Sequence, residues 1–562
     1  MDKPLPSIPT SRQDSPTSGS RASSDTATSF PAWGPNKGIA RRRSSVDHRS
    51  NTQENEKRQQ QQQQQREHGA NGEGRDEDNI VDFEENDPEH PWNWPNWKKW
   101  MVLWSPLACE LISSFGTTCI SPAQEKFAAD MGVSSVVAVL PLTMWVIGLG
   151  VGPLFLAPLS EWGGRMPVWI GGHALMTIFL ILSAVVDSLG PFLLLRFLGG
   201  FAASMPVSNV GAAVADMWNP NETAPGQSLF VAIAVGSPAL GYTLNSFIVQ
   251  YRPWRHVLWA TSGISGGMFV VLCVFTRETR DATILQKRCK RLKKETGNDK
   301  LEVPEKMRTK GWSELVKDSL WRPLSFQFTE PIVMACSLIN IELYSVNYLF
   351  TTSYPLVFGE NGHREWSTLQ IGLAWLGIFI GAAVGPLTHK PQEKKFRRET
   401  EEKGGILVPE RRLGLPMAAG ILFPVSLFWF AWTSHPSIHW IVPILASVVF
   451  GWSFFSLILF VNQFITDGYG VFASSGLAAT SLARNLAGGS FPLFGEAMYH
   501  KLGYEWATCL LAFLALLVTP VPFLFLRYGK ALRKKSPWAK QHMEEVGEDV
   551  EDGEGREGDD QA

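Results

Sequence analysis

The sequence predicts an all-α membrane protein of twelve transmembrane helices arranged as two related six-helix halves. Three observations carry that prediction. The chain has 562 residues, 45% of them hydrophobic, with 22 Trp and 33 Phe. Its mean hydropathy of −0.03 hides a segregation, because polar residues collect at the two ends and in two internal stretches. What remains falls into apolar runs of roughly 20 residues, the length a helix needs to cross a bilayer core. Basic residues are dense in every second loop between those runs. Finally, residues 147–154 (IGLGVGPL) match residues 380–387 (IGAAVGPL) at six of eight positions, each time at the end of an apolar run, which suggests two related halves.

Taken in order, residues 1–90 are rich in Ser, Pro, Gln and charge, include the glutamine run 59–65, and offer almost nothing apolar to bury. They are expected to form a disordered cytoplasmic tail. No apolar core follows the first methionine, so no signal peptide is expected. The cluster Arg41-Arg42-Arg43-Ser44-Ser45 reads as a solvated charge group ahead of a kinase site or lipid patch. From Pro88 the character changes: Trp92, Trp94, Trp97 and Trp100 with Lys98 and Lys99 abut the first apolar run, a membrane-surface pattern. Spans are expected at 101–120, 136–157, 167–186, 192–214, 228–249 and 256–276, then at 331–349, 369–387, 413–432, 440–460, 471–494 and 507–526. The domains that follow are an N-terminal bundle (91–276), a cytoplasmic central loop (277–330), a C-terminal bundle (331–527) and an acidic cytoplasmic tail (528–562).

Orientation comes from the basic residues. Lys98, Lys99, the clusters 287–294 and 394–398, Arg411, Arg412 and Arg533-Lys534-Lys535 all fall on the side of the termini. The opposite loops hold Lys126, Arg252, Arg255, Arg364 and Lys501. Both termini are therefore expected in the cytoplasm, with an even number of spans. The net charge of −2 gives no reason to expect a nucleic-acid partner. The six cysteines show no CxxC spacing and read as free thiols, without a metal site. HExxH and GxxxxGK[ST] are absent from the sequence, so neither a zinc hydrolase nor ATP-driven transport is expected, and no enzyme is read from the chain.

An ionisable side chain at bilayer depth costs about 2.5–3.5 kcal/mol on insertion scales and needs a partner, water or a function. Five qualify: Glu110, His173, Arg196, Glu342 and Arg484. Glu110 and Glu342 are read either as proton-titrating or cation-coordinating carboxylates of a central cavity or as structural carboxylates. Glu110 stands ahead because no neighbour in sequence offers it a partner. His173 reads as a packing residue. Arg196 lies near enough to its helix end to snorkel, yet ranks first among the basic residues for function. Asp187, Asp216, Glu330 and Glu496 sit near span ends and are discounted. In the turn 157–167, Gly163 and Gly164 permit a tight link, and Glu161 and Arg165 can pair with each other or with helix ends across the bundle. Such a pair near water is worth about 0–1 kcal/mol, which suits a latch.

Several ordered blocks carry a resemblance. They are residues 87–100, 152–167 and 195–216, Pro409-Glu410-Arg411-Arg412-Leu413, Ala431-Trp432-Thr433-Ser434, residues 474–479 with Arg484, and Phe491-Pro492-Leu493-Phe494. Over about residues 87–536 the chain resembles the major facilitator superfamily, specifically the fungal twelve-span drug:proton antiporters that include polyamine and toxin exporters. The resemblance implies the major facilitator fold of two pseudo-symmetric six-helix bundles. It puts Glu161 and Arg165 in a gating loop and makes Arg196 the arginine tied to proton coupling. Trp162 and Met166 depart from the loop pattern. The span-five pattern G-P-x-x-G-P-x-x-G-G stands as 237–246 (SPALGYTLNS), keeping one proline and one glycine, and Asn245 becomes a candidate cavity residue. The implied function is a monomeric, proton-coupled exporter of a drug, toxin or secondary metabolite, working by alternating access. The proton gradient drives it without a cofactor. The plasma membrane is the expected location, ahead of the vacuolar membrane. A metabolite importer or uniporter, and a non-transporting nutrient sensor, remain as alternatives. After Leu387 the chain enters a basic loop, 389–412, without a second Glu–Arg turn, so the latch is expected in one half only.

Overall fold

The computed structural model describes residues 79–84, 86–219, 222–308, 311–359, 364–402 and 408–546, and it places a helix at each of the twelve expected spans. The N-terminal half contains α1 (Asn96–Thr118), α2 (Ser135–Val151 continued by Pro153–Gly163), α3 (Arg165–Val185), α4 (Leu189–Ala203 continued by Met205–Met217), α5 (Ala224–Tyr251) and α6 (Arg255–Phe275). The C-terminal half contains α7 (Pro331–Phe358), α8 (Thr368–Ala374 continued by Leu376–Glu402), α9 (Gly414–Thr433), α10 (Ile441–Tyr469), α11 (Ala473–Leu502) and α12 (Tyr504–Val518 continued by Val521–Lys535). Nine of these pass a length and hydropathy test for crossing a membrane, or ten when bent α2 is counted as one span. Breaks fall where chemistry dictates. α2 bends by 42° at Gly152-Pro153, and α4 and α12 are interrupted just before Pro206 and at Pro520, since proline removes a helix N–H and clashes with the preceding turn.

The repeated octapeptide has a packing explanation. A Cβ added to Gly148 would lie 2.6 Å from the Phe201 nitrogen, and one added to Gly381 would lie 2.7 Å from the Trp452 nitrogen. Helix α2 thus meets α4 backbone to backbone, as α8 meets α10. Small residues allow that approach where apolar side chains cannot drive helices together against lipid. The second shared pair works the same way, with Gly152 against Ser204 and Gly385 against the Phe455 ring.

Across the two halves, α2 packs on α11 and α5 on α8. Thr143 donates to the Gly489 carbonyl (2.8 Å) and Thr243 to the Gly372 carbonyl (2.6 Å), while Tyr242 stacks on Trp375 with centroids 4.7 Å apart. Toward the end remote from the termini, the Leu369 N–H reaches Gln250 at 3.4 Å.

Four expectations about the polar segments change. Helix α8 runs on to Glu402, so residues 389–402 are helix rather than loop. The central segment contains helices Asp281–Thr296 and Trp312–Thr329, and Pro537–Val546 is helical. Residues 79–84 and 86–89 pack on the first central helix. Val81 donates to the Glu302 carbonyl and Glu302 to the Asn79 carbonyl, both at 2.8 Å. Val81, Leu285 and Cys289 form a small apolar core with Phe83, Leu292, Leu301, Val303 and Met307 around it. Asp87 pairs with Arg288, and Glu89 with Arg291 at 3.1 Å. The glutamine run, the Arg41–Ser45 cluster and the tail 547–562 lie outside the described residues.

Candidate functional site

At mid-depth, between the halves, α1 contributes Glu110, α7 contributes Tyr344 and Tyr348, and α11 contributes Arg484. Glu110 is 5% exposed. Its Oε1 accepts from Ser114 at 3.4 Å, and its Oε2 has no partner. Arg484 places its guanidinium 4.4 Å from the Tyr344 ring centroid, and its Nε is likewise unpartnered. Gly488, one turn further along α11, lets that helix close on Tyr344 and Tyr348, with a Cβ there only 3.1 Å from the Tyr348 ring. Tyr344 also meets Phe454 of α10 edge-on at 5.2 Å. Arg484 is the one charged group among the described residues that acts on Glu110, yet the two make no direct ion pair. Asn340, Tyr344, Asn347 and Tyr348 share a face of α7 by helical spacing. Both amide atoms of Asn340 and the Oδ1 of Asn347 are buried without partners. A buried polar atom left unpaired costs about 1–3 kcal/mol, so a cluster of them marks a place where another group completes the bonding.

Of the residues expected to share a cavity, only Glu110 lies here. Glu342 is buried, with one carboxylate oxygen unpartnered. Two residues before Tyr344, it points to the opposite side of α7, and burial alone perturbs it. Arg196 does not snorkel, being 0% exposed. It donates to the Gly116 carbonyl (2.7 Å) in the last turn of α1 and to the Pro141 carbonyl (3.2 Å), and it stacks 4.3 Å from the Trp145 ring centroid. A cation at a helix C-terminus is favoured by the helix dipole, and the Trp face adds a cation–π contact. Asn245 donates to the Gly241 carbonyl of its own helix at 2.8 Å. His173 contacts the Ser265 carbonyl at 3.0 Å, a packing role as expected. Arg484, Tyr344, Tyr348, Asn340 and Asn347 are the residues that the sequence left out of the site. Arg484 carried a signal as one of five intramembrane ionisable groups.

Of the two pairings expected for this turn, Arg165 makes the one with a helix end and not the one with Glu161. Helix α2 ends at Gly163 and α3 starts at Arg165, leaving Gly164 as the link with φ +96°, a conformation that glycine tolerates. Arg165 pairs with Asp216 at the end of α4, including Nη2 to Oδ1 at 3.2 Å. Glu278 accepts the Arg165 backbone N–H at 2.9 Å, and Glu161 acts on Arg165 only through space. Asp216, discounted in sequence, is therefore the paired acid. Close by, burial and the charge of Asp216 push Asp281 up to about 7 against the pull of Arg165 and Arg280. For Asp87, burial works upward, but the Glu89 N–H and Arg288 hold it below the ordinary carboxylate range.

Nor is the charged cluster confined to the N-terminal half. Arg412, just before α9, pairs with Asp467 at the end of α10 (2.7 Å) and with Glu393 on the extension of α8 (3.1 Å). This repeats the arrangement of α2, α3 and α4 in the other half. Arg533 and Glu410 add a bidentate pair (2.8 Å to each carboxylate oxygen). Glu330, also discounted, is 1% exposed and accepts from the Tyr469 hydroxyl at 2.9 Å.

Two six-helix halves meeting around a mid-depth polar site, with matched charged clusters at one end, define a multi-pass membrane transport architecture. The chain belongs to the major facilitator superfamily, whose family model matches residues 107–490. It is 34% identical to the efflux pump FUBT of Fusarium oxysporum, over 82% of this chain and 78% of that protein. It is also 34% identical to the major facilitator superfamily multidrug transporter mdrA of Aspergillus fumigatus, over 83% and 77%. Among solved structures it resembles the proton:xylose symporter XylE (TM-score 0.55, 13% identity, 77% of this chain and 97% of that one). The human organic anion transporter MFSD10 is similar in fold (TM-score 0.52, 16% identity, 76% and 100%).

Proposed function

We propose that this protein exports small organic molecules in exchange for protons, as a monomer in the plasma membrane with both termini in the cytoplasm. The observation that carries the reading is Glu110: a buried carboxylate at the junction of the halves, with one oxygen unpaired and a single cation acting on it. Such a group can take up and release a proton as access to it changes side. The relatives named as efflux pump and multidrug transporter support the outward direction. The charged clusters at the cytoplasmic end each stay within one half, whereas Thr243–Gly372 and Tyr242–Trp375 join the halves. Rocking the halves would trade the second set of contacts for closure at the cytoplasmic end. No bond is made or broken in the cargo, so the role is transport and not catalysis.

The test is uptake into proteoliposomes under an imposed pH gradient. Glu110→Gln is expected to abolish gradient-driven accumulation while retaining cargo exchange at equal pH. Gradient-driven accumulation at the wild-type rate in Glu110→Gln would remove Glu110 from the proton pathway.

A further inference from the structure

Resting on the reading of Glu110 as the proton carrier, we propose a charge rule for this site. Its exported cargo is a neutral or singly positive hydrogen-bond donor, and Arg484 is the residue that excludes polycations and keeps anions out of proton-coupled export.

The argument is a charge count joined to linkage. Ser114 on its own helix donates to Glu110, and the groups of other helices within electrostatic reach of it are Arg484 from α11 and the Tyr344 and Tyr348 phenols from α7. No charged group of the other elements packed on α1, which are α2, α3, α4, α5 and α6, acts on Glu110 among the described residues. The site therefore carries a net charge of zero when Glu110 is ionised and +1 when it is protonated. It is never negative.

Two ligands that exchange must weaken each other's binding, and that coupling is reciprocal. A monocation, or a neutral molecule donating N–H or O–H to the free Oε2, binds the zero-charge state and loses its partner when the proton arrives. It therefore exchanges with protons. An anion does the reverse: it binds best beside Arg484 with the proton aboard and would travel with it. A polycation meets one carboxylate and one fixed guanidinium, so part of its charge stays unneutralised. The unpaired atoms of Asn340 and Asn347 offer further polar contacts. Tyr348 lies tilted beside Tyr344 and Phe454 stands edge-on to it, so the site is bordered by aromatic rings suited to an apolar or aromatic body.

The experiment measures binding to the purified full-length protein at pH 6 and pH 8. The probes are ethidium (a permanent aromatic monocation with aryl amines), an aminonaphthalene sulfonate (a permanent anion) and spermine. Ethidium should bind roughly tenfold more tightly at pH 8, the sulfonate more weakly at pH 8, and spermine should not displace ethidium. Arg484→Gln removes the fixed cation, so ethidium should tighten by roughly 10- to 30-fold and spermine should begin to compete, whereas Arg484→Lys should behave as the wild type. Failure of ethidium to bind at either pH, sulfonate binding that strengthens with pH, or unchanged selectivity in a folded Arg484→Gln protein each overturns the rule. Glu110→Gln separates the two readings. Persistent pH dependence there removes the proton carrier itself. If the dependence vanishes there while the wild type favours the sulfonate at high pH, the carrier stands and the charge rule falls.

Discussion

Replacing Gly148 or Gly381 by alanine tests whether the repeated octapeptide exists to bring helix backbones together. At Gly148 the new Cβ would sit 2.6 Å from the Phe201 nitrogen and 2.9 Å from the Gly200 carbonyl carbon. At Gly381 the corresponding distances are 2.7 Å to the Trp452 nitrogen and 3.0 Å to the Gly451 carbonyl carbon, where ordinary contact begins at 3.4 Å. The opposing atoms are backbone, so no side chain can rotate away, and the helices must part by several tenths of an ångström. Overpacking of this kind costs about 1–3 kcal/mol, offset by the ~0.5–1 kcal/mol that alanine gains over glycine within a helix. A net loss of roughly 1–2 kcal/mol lowers a melting temperature by about 2–8 °C. The controls are Gly171→Ala and Gly263→Ala, where an added Cβ meets nothing within 4 Å and should hold or raise the melting temperature. Thermal unfolding of the purified variants in one detergent reads all four. If Gly148→Ala and Gly381→Ala melt at or above Gly171→Ala, close backbone approach is not what these glycines supply.

Two further outcomes follow from the charged clusters. Arg412→Ala should cost about 3–5 kcal/mol, because it strands Glu393 and Asp467 beside a site where the arginine side chain is 7% exposed. Arg165→Ala should cost less, since Arg165 and Asp216 are 11% and 18% exposed; thermal melts of the two variants side by side rank them, and the reverse order would refute the comparison. Asp281 is held at about 7, well above its ordinary 3.8, so ionising it opposes folding. That penalty is absent below about pH 4, grows through the interval up to 7 and is complete above it. Asp281→Asn should therefore raise stability by about 1–3 kcal/mol at pH 8 and leave it unchanged at pH 4, and an equal effect at both would show that Asp281 titrates normally.

The twelve helices were legible because an apolar run of bilayer length is a local signal, readable in a single window. Pairing is not local. Arg412 finds Glu393 and Asp467 at separations of 19 and 55 residues, and Arg165 finds Asp216 at 51. A turn-sized motif thus suggested a latch in one half and missed the equivalent in the other, where the acid comes from a helix that had been read as loop. Depth was also legible where facing was not. Glu110 and Glu342 both belong to mid-span positions, but helical rotation turns Glu342 away from the face that meets Arg484. The surroundings of Arg196 were hidden for a related reason. Arg196 donates to the Gly116 and Pro141 carbonyls and to the Cys119 sulfur, and acceptors that are mostly backbone leave little residue type to recognise. Val81 and Phe83 look isolated in a polar tail until Leu285, Cys289 and Met307 arrive from 200 residues later.

The packing of residues 79–84 and 86–89 on helix Asp281–Thr296 begins a belt of chain that reaches both halves. That helix is fastened to the N-terminal half through its neighbours, with His90 3.9 Å from Asp281 and the Trp92 indole bonded to the Ala215 carbonyl at 3.4 Å. Met307 is held in turn by Gln286 (3.3 Å). On the other side, helix Trp312–Thr329 is anchored to the C-terminal half at its far end, where Phe326 packs on Tyr469 at 5.8 Å and Gln327 accepts from Ser337 at 2.8 Å. The same helix also packs on the Pro153–Gly163 part of α2, so it touches both halves at once, and any rocking of one half against the other would have to slide it off one of these two surfaces.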